Sequence, residues 1–157
     1  NIHTHDHWEQ EEYNPKFCFT FVRHPIDRCV SAWREKLKKD LAKRLKGACP
    51  LRPDASLDAW VDWVTSQDPA QVDRHWGLQS QILKDKHTVA QWVGRFELLA
   101  YYWDVLRLRY PGLKPLPKLN STNPGIPWYE EISPRARAKA ARFYAPDLHR
   151  IGYGYEE

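Results

Sequence analysis

Residues 17–22 read FCFTFV, apolar on both faces of an extended chain and rich in β-formers, which predicts a buried strand of a parallel sheet. The period then changes. Pro25 fits a first helical turn. After it Ile26, Val30, Trp33, Leu37, Leu41 and Leu45 recur at three- and four-residue steps, which predicts an amphipathic helix of about five turns that Gly47 stops. Ser56 or Asp54 can cap a second helix carrying Leu57, Trp60, Val61 and Val64. Asp68-Pro69 marks a break, and residues 72–83 read as a short helix or an irregular segment. The stretch TVAQWVGRF at 88–96 alternates imperfectly and predicts a second strand. Residues 97–110 predict a helix with Leu98, Leu99, Tyr102, Val105, Leu106 and Leu108. Five prolines in 111–128 predict a structured loop. Ser133-Pro134 opens a last helix through Phe143, which Pro146 ends. This order predicts an α/β sandwich with a small parallel sheet and many helices.

At 157 residues the chain is long enough for one domain with a real core, so residues 1–157 are expected to form a single domain. A 42% hydrophobic and 13% aromatic composition argues against a disordered tail. The net charge of +4 favours anionic partners in general and selects none. Cys18, Cys29 and Cys49 have neither metal-ligand spacing nor an even disulfide framework. A reducing compartment is the simpler expectation, so the chain is placed in the cytoplasm, or in the Golgi lumen if an anchor lies upstream of Asn1. No stretch reaches membrane-spanning length. Any membrane association is therefore expected only through such a segment.

The chemistry concentrates at Val22-Arg23-His24-Pro25, where the first strand gives way to a helix. Ligands of open α/β sheets bind at the carboxyl edge of the strands, and helix starts offer N–H groups to anions. Arg23 can fork onto a phosphate. Ser31, nearly two turns in, can donate only from the helix flank. A salt-bridged Arg23 and a merely tolerated Ser31 fit the spacing equally well.

The stretch FTFVRHPIDRCVSAWR resembles the strand-turn-helix of the carbohydrate sulfotransferases that use 3′-phosphoadenosine 5′-phosphosulfate (PAPS). Further stretches are similar to that family: HWGLQSQIL around His75, Trp76 and Gln79; Val93-Gly94-Arg95-Phe96-Glu97; the Leu116–Ser121 loop; and Ile151-Gly152-Tyr153. The resemblance implies a P-loop-NTPase-like three-layer sandwich, with Arg23 and Ser31 on the 3′-phosphate of the nucleotide. It implies sulfonate transfer from PAPS to a hydroxyl of a carbohydrate or similar acceptor, with adenosine 3′,5′-bisphosphate as product and no metal. The glycine- and lysine-bearing loop that cradles the 5′-phosphosulfate has no counterpart here. In the family it precedes the 3′-phosphate motif, so this chain is expected to lack its N-terminal strand and P-loop, either as a trimmed piece or as a degenerate relative.

Asn1-Ile2-His3-Thr4-His5-Asp6-His7 opens the chain. Alternating histidines suit a metal, but His-x-His-x-Asp-His is one residue short here, and a polar terminus is the plain alternative. Some family members carry a His-x-His pair ahead of the 3′-phosphate strand, whose second histidine takes the acceptor's proton. This makes His5 the expected base and His3 its support; a register shift of two would move the role to His3 or His7. A neutral imidazole suits the task. Lys118, Asn120 and Ser121 are expected to close over the nucleotide, although Asn120-Ser121-Thr122 is also a glycosylation sequon. His75, Trp76 and Arg95 are the candidate acceptor contacts. Against this, Trp76 suits packing and Arg95 suits an ion pair with Glu97. Trp8, Trp60, Trp63 and Trp128 can stack on sugars, but at helical spacing Trp60 and Trp63 suit the core.

Two rivals remain on sequence grounds. A histidine phosphatase places Arg-His at the end of its first strand, which would make His24 a nucleophile, but it wants glycine where Pro25 stands. A non-catalytic module could bind acidic polymers through Lys36, Lys38, Lys39, Lys43, Arg44 and Lys46; a solvated helix face explains those lysines as well. Nucleic acid is not the expected partner.

Overall fold

The computed structural model describes residues 18–37, 49–83, 90–116 and 127–153. The first strand, β1 (Phe19–Val22), pairs in parallel with β2 (Trp92–Arg95), Phe19 opposite Trp92 and Val22 opposite Arg95. Among the described residues the sheet has these two strands. The register sets Phe21 against Gly94, and the absent side chain is what admits the neighbouring rings. A Cβ on Gly94 would stand 2.6 Å from the Trp92 ring and 2.8 Å from that of Phe21.

Helix α1 (Pro25–Ala32) starts two residues after β1 with Pro25 in its first turn. It buries Ile26, Cys29, Val30 and Ala32. The single long helix expected through Leu45 is interrupted: Trp33–Leu37 is a π-helical turn, which fits an extra residue into the turn. Residues 38–48, including Gly47, lie outside the described part. Helix α2 (Leu57–Thr65) is capped by Ser56, whose hydroxyl accepts from Ala59 N–H at 3.2 Å, so Ser56 and not Asp54 is the cap. The short α3 (Gln79–Ile82) follows an irregular stretch. After β2 a 3₁₀ turn (Phe96–Leu98) leads into α4 (Leu99–Arg109), which fully buries only Leu106.

The sequence pattern did not reveal α5 (Trp128–Glu131). Ser133 caps α6 (Pro134–Phe143) as expected. Pro146 does not end the fold's helical part. It sits in the first turn of another helix, α7 (Ala145–Arg150), where its missing N–H costs nothing.

The main core joins α1, α2 and α6. Trp60, Val61, Val64 and Val30 are fully buried, and Ala136 and Ala140 keep α6 thin where it lies on α2. Two of the buried indoles find acceptors, Trp60 Nε1 donating to Cys29 C=O at 3.2 Å and Trp33 Nε1 to Ala55 C=O at 3.1 Å, whereas Trp76 Nε1 is buried without a partner among the described residues. Asp62 bonds Arg135 and Lys139 along the α2–α6 rim. A smaller cluster of Val22, Leu148 and Tyr153 ties the end of β1 to the C-terminal segment. The described architecture is thus α/β with a small parallel sheet and many helices. Among the described residues no helix is long and apolar enough to cross a membrane.

Candidate functional site

The turn from β1 to α1 poses a local problem. The strand ladder ends at Val22 and the helical ladder has not begun, so the peptide groups between them have no secondary-structure partner. Side chains from distant segments supply the partners. Tyr153 Oη donates to Val22 C=O at 2.9 Å. Gln79 takes both peptide groups of Arg23: Oε1 accepts its N–H at 3.0 Å and Nε2 donates to its C=O at 2.7 Å. Glu97 Oε1 accepts the N–H of His24 at 2.7 Å, and Glu97 Oε2 accepts from Tyr153 Oη at 2.5 Å. The His24 carbonyl then accepts from Arg28 N–H as the first helical bond.

On this fixed turn, Arg23 reaches along α1. Its Nε donates to Asp27 Oδ2 at 2.5 Å, and its guanidinium carbon lies 5.4 Å from the centre of the Phe96 ring. Nη1 and Nη2 bond no described residue, and the side chain is 30% exposed. Ser31 stands one turn beyond Asp27 on the same helix face, about 5–6 Å away at the Cβ atoms. Its hydroxyl is partly exposed and makes no hydrogen bond among the described residues. Asp27 thus occupies the Nε edge of the guanidinium and offsets part of its charge, while the terminal pair of nitrogens stays available to an anion.

Arg28, one position on from Asp27, turns the other way. Its guanidinium donates to Gly77 C=O at 2.6 Å and to Arg74 C=O, pinning the loop that carries His75 and Trp76. Burial lowers the pKa of Arg28, with the carboxylates of Asp147 and Asp73 opposing the shift. On that loop His75 is exposed, with Nδ1 2.7 Å from Asp73 Oδ1; an ionised carboxylate only accepts, so Nδ1 is the donor. Trp76 is 2% exposed and packs on Trp60 and Trp63, so its ring belongs to the core.

Arg95 and Glu97 are not paired with each other. Arg95 is exposed, donates to Gly152 C=O and lies 4.9 Å from the Tyr153 ring centre; Glu97 serves His24 and Tyr153. Gly152 has φ +78°, a left-handed conformation that lets the chain turn back under Arg95. Burial, then the bond to Glu97, raises the pKa of the Tyr153 phenol. The ring of His24 stacks on Trp128 at 4.8 Å and meets the edge of Tyr153 at 5.3 Å. Trp128 also carries Arg137 over its face at 5.6 Å. Cys18, Cys29 and Cys49 are all free thiols. Among the described residues no group of three or more His, Cys, Asp or Glu side chains is arranged to hold a metal.

The structure therefore describes Arg23, Ser31, His75, Trp76 and Arg95, and Arg23 bonds Asp27 on the helix face that also carries Ser31. His3, His5, Lys118, Asn120 and Ser121 lie outside the described residues, as do Trp8 and the basic stretch beyond Leu37. Gln79, Glu97 and Tyr153 had no functional role on sequence grounds. Each was visible only as a residue of a motif far from the turn.

An arginine at the carboxyl edge of a parallel strand, with a helix-borne hydroxyl one turn beyond its carboxylate anchor, sits where ligands of open α/β sheets bind. The chain belongs to the sulfotransferase family: the model of that family matches residues 2–154, nearly the whole chain. No curated protein and no solved structure matches it. The family match favours neither the histidine-phosphatase reading of His24 nor the polyanion-binding module.

Proposed function

We propose that this chain is a PAPS-dependent sulfotransferase domain, or its larger C-terminal part, that sulfonates a hydroxyl of a carbohydrate or similar acceptor. In this reading residues 1–157 belong to one P-loop-NTPase-like sandwich. The observation that carries it is the Arg23 guanidinium, fixed at Nε by Asp27 with its terminal nitrogens unbonded among the described residues, inside the family match.

The residues at the turn fit the nucleotide. A 3′-phosphate needs donors and no competing acceptor on the same nitrogens. Arg23 offers a terminal pair for two parallel bonds and Ser31 a hydroxyl on the same helix face. When bound, PAPS supplies an activated sulfonate on a phosphosulfate bond and departs as adenosine 3′,5′-bisphosphate. Arg23 and Ser31 grip the 3′-phosphate and so fix the position of the reacting centre. His5, supported by His3, takes the proton from the acceptor hydroxyl as its oxygen attacks sulfur. Lys118, Asn120 and Ser121 close over the nucleotide. His75 and Arg95 contact the acceptor; Trp76 supports them from the core.

Titration calorimetry with adenosine 3′,5′-bisphosphate tests the reading. Arg23→Ala is expected to weaken binding by about tenfold or more, the loss of a charge-assisted pair. His5→Ala is expected to leave that affinity unchanged and to lower kcat by about 100-fold or more. Unchanged affinity in Arg23→Ala refutes the site.

A further inference from the structure

Gln79 is 7% exposed and lies far from the turn in sequence, yet its primary amide spans both peptide groups of Arg23. Among neutral side chains only Gln and Asn present a donor and an acceptor side by side, as the peptide edge of a neighbouring strand does. The amide thus continues the sheet by one rung at a place where, among the described residues, no strand runs beside Arg23. Gln79 is itself held. Its backbone N–H donates to Asp147 Oδ2 at 2.7 Å, and Ser80 N–H donates to Asp147 Oδ1 at 2.8 Å. Asp147 is completely buried. Both oxygens of this carboxylate are spent on the first peptide groups of α3, which fixes where the Gln79 side chain begins.

A continuous series of bonds therefore runs from Asp147 on α7, through the start of α3, to the backbone of Arg23. Asp27 then fixes the guanidinium from its other end. An arginine side chain is costly to order. Holding its peptide groups and its Nε before the ligand arrives removes that cost from the binding step.

We propose that Gln79 is a positioning residue for anion capture: it holds both peptide groups of Arg23 so that the guanidinium is presented preformed, and Asp147 orients Gln79. The proposal rests on the reading of Arg23 as the ligand of the nucleotide's 3′-phosphate. A packing role for Gln79 would be met by Met, which has nearly the same shape and no hydrogen-bonding amide. Side-chain replacement also leaves the backbone bond to Asp147 in place.

The test is a double-mutant cycle read by calorimetry with adenosine 3′,5′-bisphosphate, using the natural chain with any residues that precede Asn1. The proteins are wild type, Arg23→Ala, Gln79→Met and the double variant, each with its melting temperature. Gln79→Met is expected to weaken binding about five- to tenfold. In the Arg23→Ala background the same replacement is expected to change nothing further, because Gln79 acts through Arg23. Asp147→Asn, which loses one of two acceptors, is expected to give a smaller loss with the same dependence on Arg23, and it carries the test if Gln79→Met does not fold. Wild-type affinity in Gln79→Met, beside a weakened Arg23→Ala, overturns the proposal and leaves the Arg23 site standing. An equal loss from Gln79→Met with and without Arg23 also overturns it, since Gln79 would then act elsewhere. A wild-type protein that does not bind the bisphosphate, or an Arg23→Ala that binds it normally, overturns the site and the proposal together.

Discussion

Replacing Tyr153 by Phe removes one hydroxyl and keeps the ring. The ring's contacts with His24, at 5.3 Å, and with the Arg95 guanidinium, at 4.9 Å, persist, so the change reports on the hydroxyl. That hydroxyl shares its proton between Val22 C=O at 2.9 Å and Glu97 Oε2 at 2.5 Å. The two acceptors fare differently without it. Glu97 is exposed, so water can replace the donor there. Val22 is 3% exposed, and its carbonyl is left unsatisfied. A hydrogen bond to a charged group contributes about 1.5–3 kcal/mol, and a buried orphan costs about 1–3 kcal/mol. With Glu97 rehydrated, the expected loss is about 2 kcal/mol, a fall in Tm of roughly 4–8 °C for a chain of this size.

The same hydroxyl makes a pH-dependent prediction. Burial and the bond to Glu97 raise the phenol's pKa in the folded protein. Above about pH 10 the unfolded chain releases the proton while the folded one keeps it, so stability falls as pH rises; below that pH the contribution is complete. Tyr144, buried and raised in the same way, declines in both proteins and cancels from the comparison. Urea unfolding followed by tryptophan fluorescence should show Tyr153→Phe less stable at pH 7.5, with the gap narrower by about 1 kcal/mol at pH 11. Equal midpoints at pH 7.5, or a gap that does not narrow, would refute the reasoning.

Gly94→Ala should destabilise by about 1–3 kcal/mol, because the new methyl would sit 2.6 Å from the Trp92 ring and 2.8 Å from the Phe21 ring; a melting temperature equal to wild type would show that the rings yield freely. Cys29 is 1% exposed and burial pushes its thiol up to about 11, so it holds little thiolate at neutral pH. A disulfide reagent should modify the half-buried Cys18 and Cys49 in the native protein and reach Cys29 only as fast as the chain unfolds, with site-resolved mass spectrometry as the readout.

Period and caps made much of the fold legible. FTFV and WVGR have the apolar density of strands and are strands; the spacing of Leu57, Trp60, Val61 and Val64 marks α2, and Ser56 and Ser133 accept the bonds that caps accept. The failures share a cause. A recurring apolar residue shows that a helix has a face, not what covers it. Leu108 and Val105 sit on α4 at helical spacing yet are 85% and 46% exposed. The widened turn at Trp33–Leu37 keeps Trp33 and Leu37 buried, so the apolar pattern of a straight helix survives a change of geometry. Pro146 was ambiguous because proline is equally at home after one helix and in the first turn of the next. At the site, Arg23 and Ser31 stood out through the resemblance of the strand-turn-helix stretch, while their spacing alone fitted a salt-bridged arginine equally well. Gln79, Glu97 and Tyr153 did not stand out, because what they bond at the turn is backbone, and backbone partners leave no mark on residue type.

That last point explains why motifs so far apart meet at one place. A strand-to-helix turn that must present a charged side chain at its tip exposes peptide groups that neither ladder can satisfy, and water would satisfy them without fixing their direction. Three side chains from three later segments do both jobs. The tyrosine of Ile151-Gly152-Tyr153 takes the carbonyl before Arg23, the glutamine after His75-Trp76 takes both groups of Arg23, and the glutamate of Val93-Gly94-Arg95-Phe96-Glu97 takes the N–H after it. Arg28 then ties the helix back to the loop that delivers Gln79. None of these residues needs to touch a ligand for its chemical type to matter. A substitution in any of them would leave the guanidinium in place and loosen the backbone that aims it. Loss of ligand affinity with Arg23 itself intact is therefore the shared signature expected of changes in all three segments.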